Sequence, residues 1–458
     1  MDFSAANTTL WNVVIQLGMI AGSILVANFL RQRIAFIRGS LMPTAVIAGF
    51  LLLILKHLGV LPVDNAFLEI LVYHCIALGF IAMSLRVSKK EKTGKGDLTG
   101  LKSGAVIVST YLVQAVTGLG ITLLLAYTVK PDLFKAAGIL LPMGYGQGPG
   151  QANNVGMTYE ALGFAGGRSF GLAVAAAGYI CACVAGVALL NVLAKRGHVH
   201  PKGEAKEELD LSFFRDEGEI PTADSIDKLS VQLAMVLVVY LATFLTTWGL
   251  TSGIAALSEG LAKTVNTLLW GFNFIIGSAL AIAVRALLER ARKAGLIRRQ
   301  YQNNYLLNRL SGFFFDIMIV AGLASIDLQD LRGLWLPFAL LAVGGGVVTW
   351  LWLRFVCKKV YGGYYYEGLI SMYGMLTGTI GSGILLLREI DPDLRTPAAN
   401  NLVIGSSFGI ILGAPVLVLV GLASRSALMC FVTIGLALAY GAVLTLLICK
   451  AGRKKKKD

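Results

Sequence analysis

The chain has 458 residues, of which 56% are hydrophobic and only 14% are charged. Soluble domains carry about 25% charged residues, so this composition excludes an ordinary soluble protein and indicates a polytopic protein of the lipid bilayer. The net charge is +14, but the basic residues cluster in a few loops and in the tail Arg453–Lys457. Membrane topology explains such clusters, so no nucleic-acid partner is expected.

Apolar segments of about 20 residues, the length that crosses a bilayer, recur along the whole chain. In the first half we predict spans at 10–30, 41–55, 67–85, 101–127 and 166–194, with a broken segment at about 133–162. In the second half we predict spans at 229–250, 265–288, 313–328, 334–356 and 398–423, with a broken segment at about 363–390. One extra span is predicted at 427–449.

The order of spans and basic loops predicts four parts. They are a first repeat at 1–194, a polar linker at 195–228, a second repeat at 229–424, and an extra span with a basic cytoplasmic tail at 425–458. The basic loops all fall on one side if the N-terminus is outside, the C-terminus is cytoplasmic, and each broken segment is a re-entrant hairpin. Because five spans is an odd number, the two repeats are then inverted, which is a plan of secondary transporters. The alternative is a plain bundle with glycine-kinked helices.

The first broken segment contains a glycine-rich stretch at 141–154, where Gly and Pro disfavour a continuous helix. We expect this break to end at Gln151–Asn154 and to lead into a short helix, whose N–H groups favour a carboxylate. Amide oxygens and freed carbonyls suit Na⁺. Alternatively, the glycines only permit close helix packing. The predicted substrate-binding residues here are Tyr145, Gly146, Gln147, Gly148, Gln151, Asn153 and Asn154, and Asn153 is also a predicted ion ligand.

The second broken segment contains a glycine-rich stretch at 372–383 and offers hydroxyl groups instead of amides. Asn400 and Asn401, at the start of the following span, repeat the paired asparagines of the first segment and are predicted ion ligands. The predicted substrate-binding residues here are Tyr373, Thr377, Gly378, Thr379 and Ser382.

Asp316 lies inside a predicted span, and an intramembrane acid is a functional hypothesis by default. It could bind Na⁺ or carry a proton. Equally, it could be an acid near the interface, paired with Arg309. No catalytic, zinc or nucleotide-binding motif accompanies it, so no enzyme activity and no organic cofactor are expected, and an ion gradient is the natural energy source.

Several motifs, in order, resemble the bacterial sodium/glutamate symporter family. They are the span entry Met42–Ala45, the stretch 77–86, the first glycine-rich loop, the Asn308–Leu310 start of a later span, and Tyr361–Tyr364 before the second glycine-rich loop. The similarity covers roughly 10–422. The resemblance assigns functional roles to the loop glycines Gly144, Gly146, Gly148, Gly150, Gly374, Gly378, Gly381 and Gly383.

The resemblance implies a homodimer in the bacterial inner membrane, with elevator-like movement of the part that carries both hairpins. It implies Na⁺-coupled symport of L-glutamate or a related small carboxylate, with Gly144, Gly150, Gly374 and Gly381 near the ion. Other functions stay open from the residues alone. They are a proton-coupled transporter, an antiporter of another organic anion, and a channel.

Overall fold

The computed structural model describes residues 3–4, 7–39, 41–87, 98–199, 225–257, 269–271, 273–297, 300–391 and 395–450. The structure is 83% helical, and no strand occurs in these ranges. The helices are α1 Thr8–Arg33, α2 Ala35–Gly39, α3 Thr44–His57, α4 Asn65–Leu85, α5 Thr99–Thr128, α6 Pro149–Glu160, α7 Gly167–Lys195, α8 Ser225–Leu257, α9 Asn273–Lys293, α10 Asn304–Ala324, α11 Trp335–Val360, α12 Tyr365–Thr377, α13 Ile380–Arg388, α14 Ala398–Ala423 and α15 Ala427–Lys450.

Nine of the described helices are long and apolar enough to cross a membrane. They are α1, α4, α5, α7, α8, α10, α11, α14 and α15, so the expected all-α polytopic membrane protein is confirmed. The predicted span at 41–55 corresponds to the shorter apolar helix α3. The predicted span at 265–288 begins outside the described residues and continues as α9. The inner membrane as location and the orientation of the termini stay predictions.

One helix begins well before the predicted boundary. The span predicted at 313–328 is α10, which starts at Asn304. The Asn303 side chain accepts a hydrogen bond from the backbone N–H of Leu306 at 2.8 Å, which is the capping interaction that starts a helix. Polar residues therefore extend this helix beyond its apolar part, where hydropathy alone does not find it.

The chain forms two compact units, each built from separate stretches of sequence. The first unit comprises Met1–Pro62, Thr93–Ala205 and Gly322–Asp458, and the second comprises Val63–Lys92 and Lys206–Ala321. Both glycine-rich stretches belong to the first unit. Most of the predicted linker lies outside the described residues, and the predicted division into repeats stays a prediction.

In the first unit, α5 packs against α11, α14 and α15, and small residues allow its closest contacts. At Gly118 a Cβ atom would overlap the carbonyl oxygen of Gly138, so the two backbones touch. Thr122 adds a hydrogen bond of 2.9 Å from its hydroxyl to the carbonyl of Lys135. Close approach of this kind is how membrane helices gain packing energy without a hydrophobic driving force between them.

In the second unit, α4 packs against α8 and α9 through aromatic and polar side chains. The Tyr73 hydroxyl donates to the carbonyl of Trp270 and accepts from the amide of Asn273, each at 2.9 Å. His74 and Tyr240 are joined at 2.6 Å between Nδ1 and the phenol oxygen. These contacts tie the three helices together within that unit.

Candidate functional site

The first glycine-rich stretch is more helical than the sequence predicts. A 3₁₀ turn at Lys135–Ile139 and a π-helical turn at Pro142–Gly146 precede the break, and α6 begins at Pro149. The break is therefore confined to Gln147 and Gly148, and the expectation that it runs to Gln151–Asn154 is wrong. Gly148 has a φ of 88°, which favours glycine, and proline suits the first position of a helix, so α6 starts at once.

The second break is equally narrow. Helix α12 ends at Thr377, the two residues Gly378 and Thr379 are not helical, and α13 begins at Ile380. The other glycines lie inside these helices: Gly381 is exposed in the first turn of α13, whereas Gly374 and Gly383 serve packing. A Cβ atom on Gly374 would lie 2.9 Å from the Cα atom of Gly383, so α12 and α13 can run side by side only without side chains there.

The two breaks meet at Gly178, near the middle of the 29-residue helix α7. A Cβ atom on Gly178 would overlap the carbonyl oxygen of Thr377 and would lie 3.1 Å from the Tyr145 ring. At the same level, a Cβ atom on Gly148 would lie 4.0 Å from the Thr379 methyl group. Residues about 230 positions apart in sequence are thus brought together.

The helical turns at 135–146 and helix α6 form the first helix pair, whose outer ends meet near the start of α7. The Phe134 ring lies 5.2 Å from the ring of Tyr159 and 5.2 Å from that of Phe164, between centroids. Phe164 in turn packs against Gly167, the first residue of α7. The chain from Phe134 to Phe164 therefore begins near the start of α7, reaches the middle of α7 at the first break, and returns to the start of α7.

Helices α12 and α13 form the second helix pair, whose outer ends meet near the other end of α7. Ile370 of α12 and Leu386 of α13 share a hydrophobic cluster with Leu190 and Leu193 of α7. Tyr366 and Ile390, before and after those two residues, border the same cluster. The two pairs therefore approach the middle of α7 from its opposite ends.

Helix α11 holds both breaks through their tyrosines. The Tyr145 hydroxyl donates to the carbonyl of Ala342 at 2.6 Å. The Tyr373 ring packs edge-on against Trp350 with centroids 5.8 Å apart, and its hydroxyl lies 3.1 Å from the sulfur of Cys181 on α7. Both predicted tyrosines thus lie at the site, but their hydroxyls have protein partners.

Gln114 of α5 also joins the site, and the sequence analysis missed it. Its amide nitrogen donates to the Thr349 hydroxyl at 2.8 Å and to the carbonyl of Leu376, next to the second break, at 2.9 Å. Its amide oxygen faces Gly146 of the first break. A single amide in a long apolar span is a signal that could have found it, because polar groups are rare there without a role.

Several buried oxygen atoms on these elements have no hydrogen-bond partner. Within the described residues they include the amide oxygens of Gln114, Gln151 and Asn153, and the hydroxyl of Ser382. Each of these side chains is at most 2% exposed. A buried polar atom without a partner costs about 1–3 kcal/mol, so a group of them indicates a place for a ligand, an ion or water.

The remaining predicted residues near the breaks have mixed roles. The Thr377 hydroxyl donates to the Tyr373 carbonyl within α12 at 2.7 Å. Gly144 packs against the backbone of Ala175, which is the packing role that the sequence left open. Gly150 and Asn154 are buried in the first turns of α6, whereas Gln147 is partly exposed.

The other predicted ion ligands have different surroundings. The Asn401 amide donates to the Tyr364 hydroxyl at 2.7 Å, before the start of α12 rather than at its Gly378 end, and Asn400 is its partly exposed neighbour. Asp316 lies in the second unit on an exposed position of α10, whereas every other predicted site residue lies in the first unit. Arg309, its suggested partner, lies over the Tyr305 ring at 5.2 Å.

Asp391 stabilises the outer end of the second helix pair. Its carboxylate accepts hydrogen bonds from the N–H groups of Arg395 and Thr396 at 2.9 and 2.8 Å, and from the Thr396 hydroxyl at 2.6 Å. We expect Asp391→Ala to lower the free energy of unfolding by about 1–3 kcal/mol, because these donors lose their acceptor. Thermal unfolding in detergent measures this. Asp391→Asn, which keeps one acceptor oxygen, should lose less, and unchanged stability of Asp391→Ala would contradict the assignment.

No family model matches this chain, and no curated protein matches it. The similarity to sodium/glutamate symporters therefore stays a prediction from the motifs quoted above.

Proposed function

We propose that the protein is an ion-coupled secondary transporter, which carries Na⁺ together with glutamate or a related small carboxylate. The observation that carries the proposal is the meeting of the two helix breaks at Gly178 in the middle of α7. Helix α7 has 29 residues, or about 43 Å at 1.5 Å per residue, which exceeds a hydrocarbon core of about 30 Å. Its middle is therefore at membrane depth, where broken helices mark substrate and ion sites.

The two helix pairs fit re-entrant hairpins. Helices α6 and α12 have 12 and 13 residues, or about 18–20 Å, which is too short to cross the hydrocarbon core. The ends of each pair lie together, and the two pairs approach from opposite ends of α7. We infer two inverted repeats, 1–194 and 229–424, each with one hairpin, from which alternating access arises by movement of the part that holds both hairpins.

Helix polarity at the meeting point suits a carboxylate. Helices α6 and α13 both start there, and neither Gly148 nor Thr379 caps its helix with a side-chain hydrogen bond. The open N–H groups and the positive ends of the helix dipoles favour an anion. The buried hydroxyl of Ser382, in the first turn of α13, has no partner in the described residues and is available as a further donor.

The same point offers ligands for a cation. Helix α12 ends there, so its last carbonyls carry the negative end of a helix dipole. The amide oxygens of Gln151 and Asn153 add neutral oxygen ligands of the kind that hard cations prefer. Opposed helix ends for an anion and a cation are the arrangement of Na⁺-coupled transporters. The motif resemblance adds the homodimer, the bacterial inner membrane and the orientation of the termini to this proposal.

Uptake into proteoliposomes tests the proposal. We expect labelled glutamate or a related carboxylate to accumulate when an inward Na⁺ gradient is imposed. A panel of carboxylates, assayed by thermal stabilisation with and without Na⁺, identifies the cargo first. Equal uptake when K⁺ replaces Na⁺ and the pH gradient is abolished would reject Na⁺ coupling.

A proton-coupled transporter or antiporter is the second candidate, since Asp316 lies in an apolar helix of the second unit. Uptake driven by a pH gradient without Na⁺ would favour it. A channel would equilibrate the carboxylate and would not accumulate it. Net accumulation above the external concentration therefore separates both transporters from a channel.

A further inference from the structure

The orientation of the Gln114 amide group follows from its neighbours. The Leu376 carbonyl can only accept a hydrogen bond, so the atom of Gln114 that lies 2.9 Å from it must be the amide nitrogen. The same nitrogen donates to Thr349 at 2.8 Å, which uses its second hydrogen. The amide oxygen is therefore turned to the opposite side, toward the first break.

That oxygen lies beside Gly146. A Cβ atom on Gly146 would be 3.0 Å from the Gln114 oxygen and would overlap the Tyr111 ring, so only glycine leaves this approach open. The next N–H group along the chain, that of Gln147, donates to the Pro142 carbonyl at 3.2 Å and does not serve Gln114. The oxygen is buried and has no partner among the described residues.

We propose that the amide oxygen of Gln114 binds the positively charged group that is held at the first break. This group is either the coupling Na⁺ or the ammonium group of an amino-acid cargo. The proposal rests on the function proposed above and adds a ligand from α5, outside both glycine-rich stretches. An oxygen with no hydrogen can only accept, so it attracts a cation or an N–H donor and repels a carboxylate.

The amide of Gln114 would then also link the ligand to the second break. Its oxygen contacts the bound cation while its nitrogen holds the Leu376 carbonyl, at the end of α12. A cation on the oxygen polarises the amide and strengthens the bonds of its nitrogen, since bonds in a chain reinforce one another. The cation is therefore expected to stabilise the contact between the two breaks.

The experiment compares Gln114→Leu with Thr349→Val in the full-length protein. Thr349→Val removes one hydrogen-bond partner of the amide nitrogen but keeps the oxygen, so it controls for lost structure. Thermal unfolding is followed against increasing NaCl, with choline chloride holding the ionic strength constant, and separately against increasing cargo. We expect Gln114→Leu to raise the half-saturating concentration of Na⁺ or of cargo about tenfold or more, and Thr349→Val to raise it much less, because the oxygen and the bond to Leu376 remain.

The two sources of positive charge are told apart by the two titrations. If the Gln114 oxygen binds Na⁺, Gln114→Leu weakens the response to NaCl in the absence of cargo. If the oxygen binds an ammonium group, Gln114→Leu weakens the response to an amino acid but not the response to the same acid without its amino group. Gln114→Met replaces Gln114→Leu if the latter does not fold, because its chain has a similar length and no acceptor oxygen of this kind.

Wild-type midpoints in the Gln114 variant would overturn this proposal while leaving the proposed function intact. A wild-type protein that responds neither to Na⁺ nor to any carboxylate would overturn both. Equal losses in Gln114→Leu and Thr349→Val would assign the effect to packing and would also overturn the role of the oxygen.

Discussion

Gly178→Leu is expected to abolish uptake, because it places a side chain where the two breaks meet. Even the first added carbon would overlap the carbonyl oxygen of Thr377, and it would lie 3.1 Å from the Tyr145 ring. A leucine therefore pushes the two breaks apart, since a packed interior cannot take up the extra atoms through small side-chain movements. Uptake into proteoliposomes should fall to the level of empty vesicles.

Gly435→Leu is the matched control for this substitution. Gly435 also lies in a membrane-spanning helix, α15, but nothing lies within 4 Å of a Cβ atom built there. Its uptake should stay near that of wild type, and both variants should insert and purify as single species. Transport by Gly178→Leu at the wild-type rate would show that the contact at Gly178 is not part of the site.

Gly118→Leu is expected to cause the largest loss of stability. Gly118 and Gly138 touch backbone to backbone, so any side chain must push the first helix pair away from α5. Overpacking of a fitted core typically costs about 1–3 kcal/mol, and a clash with the backbone itself belongs at or above the upper end of that range. Thermal unfolding in detergent, read together with the yield of monodisperse protein, measures this loss.

Gly120→Leu, two residues further along the same helix, is the control. Gly120 is exposed and has nothing within 4 Å of its Cβ position, so a leucine there faces lipid rather than protein. The two variants share helix, residue type and depth to within one turn. Equal unfolding temperatures for both would mean that the Gly118–Gly138 contact does not stabilise the unit.

The fold class could be predicted because hydrophobicity is a local property. Segments such as α7 and α14 contain enough consecutive apolar residues to identify them as spans without any partner. Boundaries set by polar residues were harder, as the early start of α10 shows, because hydropathy does not detect a capping asparagine. The short helix α3 was found for its apolar content, although its 14 residues fall below the usual span length.

The position of each break was predicted, but its extent was not. Gly and Pro lower helix propensity residue by residue, so the sequence indicated long irregular stretches. In the structure, most of these glycines lie in helical turns, and only Gln147–Gly148 and Gly378–Thr379 are not helical. Neighbouring helices outweigh the unfavourable propensity, because Gly144 and Gly374 allow close packing that larger residues would prevent.

The sequence by itself determined that the chain crosses a membrane many times and where two helix breaks occur, since both properties depend on residues adjacent in sequence. Only the tertiary structure decided that the two helix breaks meet at Gly178 and that Gln114 lies between them. It also decided that the Asn401 amide donates to the Tyr364 hydroxyl. These contacts join residues far apart in sequence. They depend on how helices pack and on which donor reaches which acceptor, and no local pattern of residues encodes that geometry.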